Sequence, residues 1–356
     1  MKRFKSFLCI LIVLCFSISV FGIYAENDDP AVKPDLFIGT EKVCVGLETS
    51  ASNVVIESNG YSEFVDCYAT LDDNTVMNVN YDAKWETDNQ NIAVAFEGRI
   101  LAKGKGKTRI KVSYEGFEKY IDVEILKEID LIKEEKALNE IFKSRKSNDD
   151  MLGTLSLTNS ERQEIRDKAM AMIAYIWRPA KDLTGWKDLY TFEKDTTCIG
   201  IPYSQTPNQV DEAGFKSAQS KSDFYTSITS PNIMPRYGND CSGFTSFSWG
   251  ISRQTTLSFY NGIKKGTYPK VGSYNADTPT SPSASELKNS YKLLQTGDAV
   301  VYRTSDNTGG HVFVIAVNFT TDSKVQCFEQ TDPYCDITYW TYDQLANRKY
   351  MPFAKK

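Results

Sequence analysis

A chain of 356 residues, 41% hydrophobic and 24% charged, has room for two modest domains, each with an apolar core of its own. Its 41 Lys and Arg stand against 46 Asp and Glu, a net charge of −5, which argues against nucleic acid as a partner. A single histidine and irregularly spaced cysteines argue against a metal centre.

The first 25 residues carry Lys2, Arg3 and Lys5, then an apolar run, then small residues near Gly22 and Ala25. This is the pattern of a secretory signal peptide (1–25), cut after Gly22 or Ala25. Left uncleaved, that segment is the expected membrane contact. Beyond it lie Cys44, Cys67, Cys198, Cys241, Cys327 and Cys335. In an exported protein an even number of cysteines predicts disulfides, and a free Cys241 would leave five.

Residues 30–126 alternate short apolar runs with turn residues. "KVCVGLE", "NVVIES", "EFVDCYATL", "IAVAF", "TRIKVSY" and "KYIDVEIL" all read as strands, and strands at this spacing predict an all-β sandwich. Trp85 is expected in its core. The stretch "AKWETDNQNIAVAFEGRILAKGKGKTRIKVSYEG" resembles the second half of a group 2 bacterial Ig-like domain. That resemblance implies a spacer or adhesive unit without catalysis.

Residues 127–150 are dense in charge, with Leu131, Leu138, Ile141 and Phe142 at helical spacing. They read as a linker helix leaning one face on a domain, or as a solvated linker. A second domain, 151–356, opens with a helix capped by Thr158 or Ser160, with Glu161 or Gln163 three residues on. Ile165, Ala169, Met172, Ile173 and Ile176 form its apolar stripe, and Pro179 stops it. After a long Gly-, Pro- and Ser-containing stretch, "DAVVYR", "HVFVIAV", "KVQCFEQ" and "ITYW" return to strands. The second domain is therefore expected to be α+β with an antiparallel sheet.

Three residues of this domain stand out chemically. In "RYGNDCSGFTSFSWG" Asn239 or Asp240 can cap a helix that begins at Cys241, with Phe244, Phe247 and Ile251 on its buried face. A helix N-terminus favours the thiolate form of a cysteine. His311, the single histidine, follows "NTGG" and opens a strand, so it is the available imidazole base. "HVFVIAV" and "VQCFEQ" read as a hairpin turning near Thr320 or Thr321. His311 then lies opposite Glu329, whose carboxylate would accept the imidazole Nδ1–H, or, after a one-residue slip, meets Gln330.

"NDCSGFTSFSWG", "LQTGDAVVYR", "GGHVFVIAV" and "CFEQTDP" together resemble the NlpC-type papain-like cysteine peptidases of bacterial cell walls, over roughly residues 160–350. The resemblance implies Cys241 as nucleophile, His311 as base, and Asp240 and Ser242 lining the pocket for the substrate's free amine. The family's usual third residue is histidine, whereas this position reads Glu329, as in related amidase branches. The family's tyrosine beside the thiol corresponds to Tyr203 in "GIPYSQ", with Tyr237 as rival.

The expected protein is therefore multidomain: an Ig-like sandwich followed by an NlpC-type α+β domain. Its expected activity is that of a secreted cysteine hydrolase acting on peptidoglycan peptides through a Cys–His–Glu triad and a thioester, with no cofactor. The competing readings are a wall-binding or adhesive protein with an inactive domain, and an amidase with a non-wall substrate. On this division the first domain is dispensable for cleaving small peptides.

Overall fold

Alternation of apolar and polar residues drives residues 44–127 into ten strands. These are β1 (Cys44–Thr49), β2 (Asn53–Ser58), β3 (Ser62–Phe64), β4 (Cys67–Leu71), β5 (Val76–Asn78), β6 (Lys84–Thr87), β7 (Ala93–Phe96), β8 (Arg99–Ala102), β9 (Gly106–Tyr114) and β10 (Phe117–Lys127). In β10, Ile121, Val123 and Ile125 are buried, while Asp122 between them is exposed. The strands form three sheets, ordered β1-β4-β5, β2-β10-β9-β6 and β3-β8-β7, around one apolar core. Trp85 lies in that core at 2% exposure, its indole Nε1 donating to the Asn80 carbonyl (3.0 Å). The computed structural model describes residues 42–144, 157–306 and 308–356, and the signal-peptide reading of residues 1–25 falls outside them.

Helix α1 (Leu131–Ser144) takes up the charged stretch, and two of its acids dock it. Glu134 accepts from the Tyr339 hydroxyl (2.7 Å), and Glu135 forms a fully buried ion pair with Arg166. Helix α2 (Asn159–Ile173) starts with a capping box between Thr158 and Glu161, the first of the two caps the sequence offers. It ends earlier than the stripe predicted. The chain turns at Ala174, Ile176 is left 64% exposed, and Trp177 takes the buried place in a two-residue strand. That strand, β11 (Ile176–Trp177), pairs with β14 (Cys198–Ile199), and β12 (Leu183–Thr184) pairs with β13 (Thr191–Phe192).

Helices α3 (Glu212–Ala218), α4 (Cys241–Trp249), α5 (Thr256–Lys265) and α6 (Ala284–Tyr291) follow. The chain closes with β15 (Ala299–Arg303), β16 (Gly310–Phe319), β17 (Lys324–Gln330), β18 (Cys335–Thr341), α7 (Tyr342–Asn347) and β19 (Met351–Phe353). The five strands form one antiparallel sheet, ordered β18-β17-β16-β15-β19. Its central residues, among them Val312 to Ala316 and Phe328, are fully buried beneath α2 and α4.

The described chain is thus mixed α and β, with one core in its all-β half and another in its α+β half. The two halves pack as a single compact unit over residues 42–356. Tyr61 stacks on Tyr339 with ring centroids 4.5 Å apart, Lys103 pairs with Asp336, and Gln344 donates to the Ser62 carbonyl (2.9 Å). The expected disulfides are not formed: all six described cysteines are buried free thiols. Cys44 and Cys67 sit on paired strands, yet the register sets Cys44 against Leu71 and Cys67 against Thr49.

Candidate active site

The site begins at the N-terminus of α4. Asp240, extended at ψ 175°, is the N-cap, and its Oδ1 accepts from the Gly243 N–H (2.6 Å) and the Ser242 hydroxyl (2.8 Å). Cys241 is therefore the first helical residue, where the unpaired amides and the helix dipole make the local potential positive. Phe244 and Trp249 anchor the helix in the core, both fully buried. The Trp249 indole donates to the Gly297 carbonyl (2.9 Å). Gly297 has φ +85°, a conformation open to glycine, which lets the chain turn sharply before Asp298 and β15.

The imidazole comes from β16. His311 sits at the start of this strand beside Tyr302 of β15, its side chain 17% exposed. The Cys241 sulfur, itself 6% exposed, lies close enough for its charge to act on the imidazole. On its other side, Nε2 lies 2.7 Å from Glu329 Oε1. Glu329 thus engages Nε2, where the sequence reading placed Nδ1.

The hairpin register also departs from the expected direct opposition. The β16–β17 ladder runs from Phe319↔Lys324 to Val317↔Gln326, slips by one residue at Ala316, and continues as Ile315↔Cys327 and Val314↔Phe328. Extended further, it brings Glu329 level with Phe313, so His311 is its diagonal neighbour on the same face. The bulged Ala316 carbonyl is satisfied by Arg166 (3.0 Å) and the Thr296 hydroxyl (2.9 Å). Gln330 faces away and donates to the Ile201 carbonyl (3.2 Å), so it does not meet the imidazole.

Electrostatics follow from this placement. Burial disfavours charge on His311, but the Cys241 sulfur and the Glu329 carboxylate outweigh it and raise the imidazole to about 9. Burial likewise opposes charge on Glu329, yet the Arg99 guanidinium and His311 hold its carboxyl well below the usual range. Glu329 is fully buried and receives further bonds from the Thr338 hydroxyl and from Trp340 Nε1 (3.2 Å). An imidazolium beside a thiolate is the charge state in which a cysteine attacks a carbonyl.

The two tyrosines are separated by their surroundings. Tyr203 lies on a segment bridged in parallel to Asn239, two residues before the thiol in sequence. Burial raises its phenol well above the ordinary value, and the charges of Cys241 and Asp240 add to this. Gln205 Nε2 donates to its oxygen (2.8 Å), leaving the phenol proton to donate elsewhere. Tyr237 turns away, its hydroxyl donating to Asp223 (3.0 Å). Asp240 and Ser242, which the resemblance assigns to an amine pocket, are engaged with protein partners. Both are buried, Ser242 is spent on the cap, and Asp240 Oδ2 is paired with Arg253 (2.5 Å).

Beside Tyr203, a cleft between the two halves is lined by Tyr81, Phe96, Glu97, Trp186 and Lys187. Trp186 meets the Tyr203 ring edge-on at 5.3 Å. Among the described residues, no group of three or more His, Cys, Asp or Glu is arranged to hold a metal ion, and no helix is long and apolar enough to cross a membrane. Sequence reasoning missed Arg99, Thr338 and Trp340. The last two sit on the strand next to Glu329 and follow from the pairing Phe328↔Ile337, which was not legible beforehand.

No family model and no curated protein matches the chain. Among solved structures, domains 4 and 5 of the S-layer protein SbsC align at 13% identity and a TM-score of 0.22, over 24% of this chain and 54% of theirs. Domains 5–6 of the same protein align at 12% identity and a TM-score of 0.21, over 24% of this chain and 45% of theirs. Likenesses this short and this low carry no argument about fold or function.

Proposed function

We propose that the chain is a secreted cysteine hydrolase of the NlpC type that cleaves amide bonds in peptidoglycan stem peptides. The observation that supports the reading is the His311–Glu329 pair, with the buried carboxylate 2.7 Å from Nε2, beside Cys241 at a helix N-terminus. In this mechanism the Cys241 thiolate adds to the amide carbonyl, forming a C–S bond. Amides at the start of α4 and the Tyr203 hydroxyl stabilise the oxyanion. The imidazolium of His311 gives its proton to the leaving amine as the C–N bond breaks, and water, deprotonated by the imidazole, hydrolyses the thioester. Glu329 holds the ring and stabilises its charged form.

The test is incubation of the intact chain with purified peptidoglycan, followed by mass analysis of released muropeptides. New peptide termini that appear with the wild type and not with Cys241→Ala support the reading. An unchanged wall, with Cys241 inert to thiol-directed reagents near neutral pH, refutes it and favours an adhesive protein. A second reading, an amidase with a non-wall substrate, is favoured by the Arg253–Asp240 pair, which occupies the acid reserved for a free amine. Equal cleavage of peptides with free and with acetylated N-termini would select it.

A further inference from the structure

Glu329 has no contact with solvent, yet it carries a charge that catalysis needs. A buried carboxylate keeps its charge only with a counter-charge and several donors. Its own half of the molecule supplies His311, Thr338 and Trp340. The permanent cation comes from the other half. Arg99, on β8 of the all-β half, donates from Nη1 to Oε1 (2.7 Å) and from Nη2 to Oε2 (3.1 Å), a two-pronged grip that fixes the carboxylate plane. The guanidinium is itself held: Nε donates to Ser62 Oγ on the neighbouring β3 (2.8 Å), and its plane lies 4.6 Å from the centre of the Trp340 ring. Arg99 is 5% exposed.

We propose that Arg99 is a positioning residue of the catalytic centre, supplied by the all-β half, so that the Cys241–His311–Glu329 line is complete only when the two halves are docked. This rests on the reading of that line as catalytic. Oε1 receives both Arg99 and His311, so the guanidinium keeps the oxygen anionic and aims it at the imidazole Nε2–H. Without Arg99, burial drives Glu329 to take up a proton, and the imidazolium loses its partner. Other titratable groups around Glu329 are Cys327 on its own strand, Tyr350 before β19 and Asp336 directly across on β18, the last paired with Lys103, with Arg348 acting on Arg99 and Tyr350 from behind. Neither Cys327 nor Tyr350 carries a positive charge that could replace Arg99.

The experiment uses the full chain and two readouts that need no substrate. One is the alkylation rate of Cys241 by iodoacetamide against pH, read on the Cys241 peptide by mass spectrometry. The other is NMR titration of the imidazole, unambiguous because the chain has one histidine. Arg99→Met is expected to move the acid limb of the alkylation profile up by about one unit, roughly a tenfold loss of rate near pH 6. Arg99→Lys should return most of it. Combining Arg99→Met with Glu329→Gln should cost no more than Glu329→Gln alone, because the arginine acts through the carboxylate. Lys324→Met, which removes a different bond between the halves (Lys324 Nζ to the Tyr61 hydroxyl, 3.1 Å), should leave both readouts in place. Should Arg99→Met fail to fold, Arg99→Gln is carried through the same series. A folded charge-removing variant with the wild-type profile overturns the proposal, as does an equal shift in Lys324→Met. A wild-type chain whose thiol and imidazole both behave as in a free peptide overturns the catalytic reading with it, and is distinguishable because no variant is needed to see it.

Discussion

Cys241 and Glu329 depend on their surroundings in different ways. Cys241 owes its position to one helix start, so replacing it disturbs little else: Cys241→Ser or Cys241→Ala should lower hydrolysis by about three orders of magnitude or more while the thermal melt stays close to wild type. An amidase assay beside a melting curve checks both halves of that expectation. Glu329 is held by side chains from three other strands, β8, β16 and β18, and its carboxylate adds to the effect of the Cys241 sulfur in raising His311 to about 9. An imidazole raised above its unfolded value contributes stability that is fully present below about 6.5 and is lost as pH climbs through about 9. Glu329→Gln removes the charge and keeps a hydrogen bond, so the alkaline limb of the rate profile should shift to lower pH and the maximal rate should fall. It also strands a buried guanidinium, so the melt should drop as well. Gln330→Ala deletes a buried bond to the Ile201 carbonyl and should cost about 1–2 kcal/mol in denaturant unfolding, without moving the pH profile.

At the scale of elements, the thiol is aimed by a helix and the imidazole by a hairpin, and both are seated by the turn at Gly297. That residue accepts the Trp249 bond from α4, its own N–H donates to the Ile315 carbonyl of β16, and its φ of +85° sets the direction of β15. A Cβ there would lie 3.2 Å from Ile165 Cδ1 on α2 and would sit in a strained backbone region. Gly297→Ala should therefore destabilise the fold by about 1–2 kcal/mol. Activity should fall with it, because helix and hairpin lose their common support. Calorimetry gives the first quantity and the alkylation rate of Cys241 the second. A melt unchanged by the substitution would show that the turn does not carry the site.

For the whole molecule, the sequence pattern reads the all-β half as a removable spacer, whereas in the structure that half packs against the α+β half as one compact unit. A chain cut to residues 157–356 loses Arg99 from Glu329, Lys103 from Asp336, Tyr61 from Tyr339, and Glu135 from Arg166. The buried Glu329 and Arg166 each lose an oppositely charged partner, and Tyr339 loses its stacked ring. The truncated chain should melt well below the intact one and should cleave even a small peptide poorly. Full activity on small peptides from the truncated chain would restore the spacer interpretation.

What was legible beforehand was local. Thr158 with Glu161 announced the start of α2, the Asn-Asp before Cys241 announced α4, and the alternation in "HVFVIAV" and "KVQCFEQ" announced a hairpin. In each case the physics lies within a few residues: a cap satisfies nearby amides, and a two-residue period sorts side chains to faces. The pairing of His311 with Glu329 was also within reach, because the hairpin narrows the partner of the imidazole to two positions. What tertiary structure alone decided was non-local. The bulge at Ala316 set the diagonal rather than direct pairing of His311 and Glu329. Packing at β11 turned Ile176 outward. The grip of Arg99 on Glu329 joins residues 230 apart in sequence. Nothing in the residues flanking an arginine on one strand encodes which carboxylate of a different sheet it will meet. That choice is made by how two separately patterned cores dock, and by the cost of leaving Glu329 charged and alone.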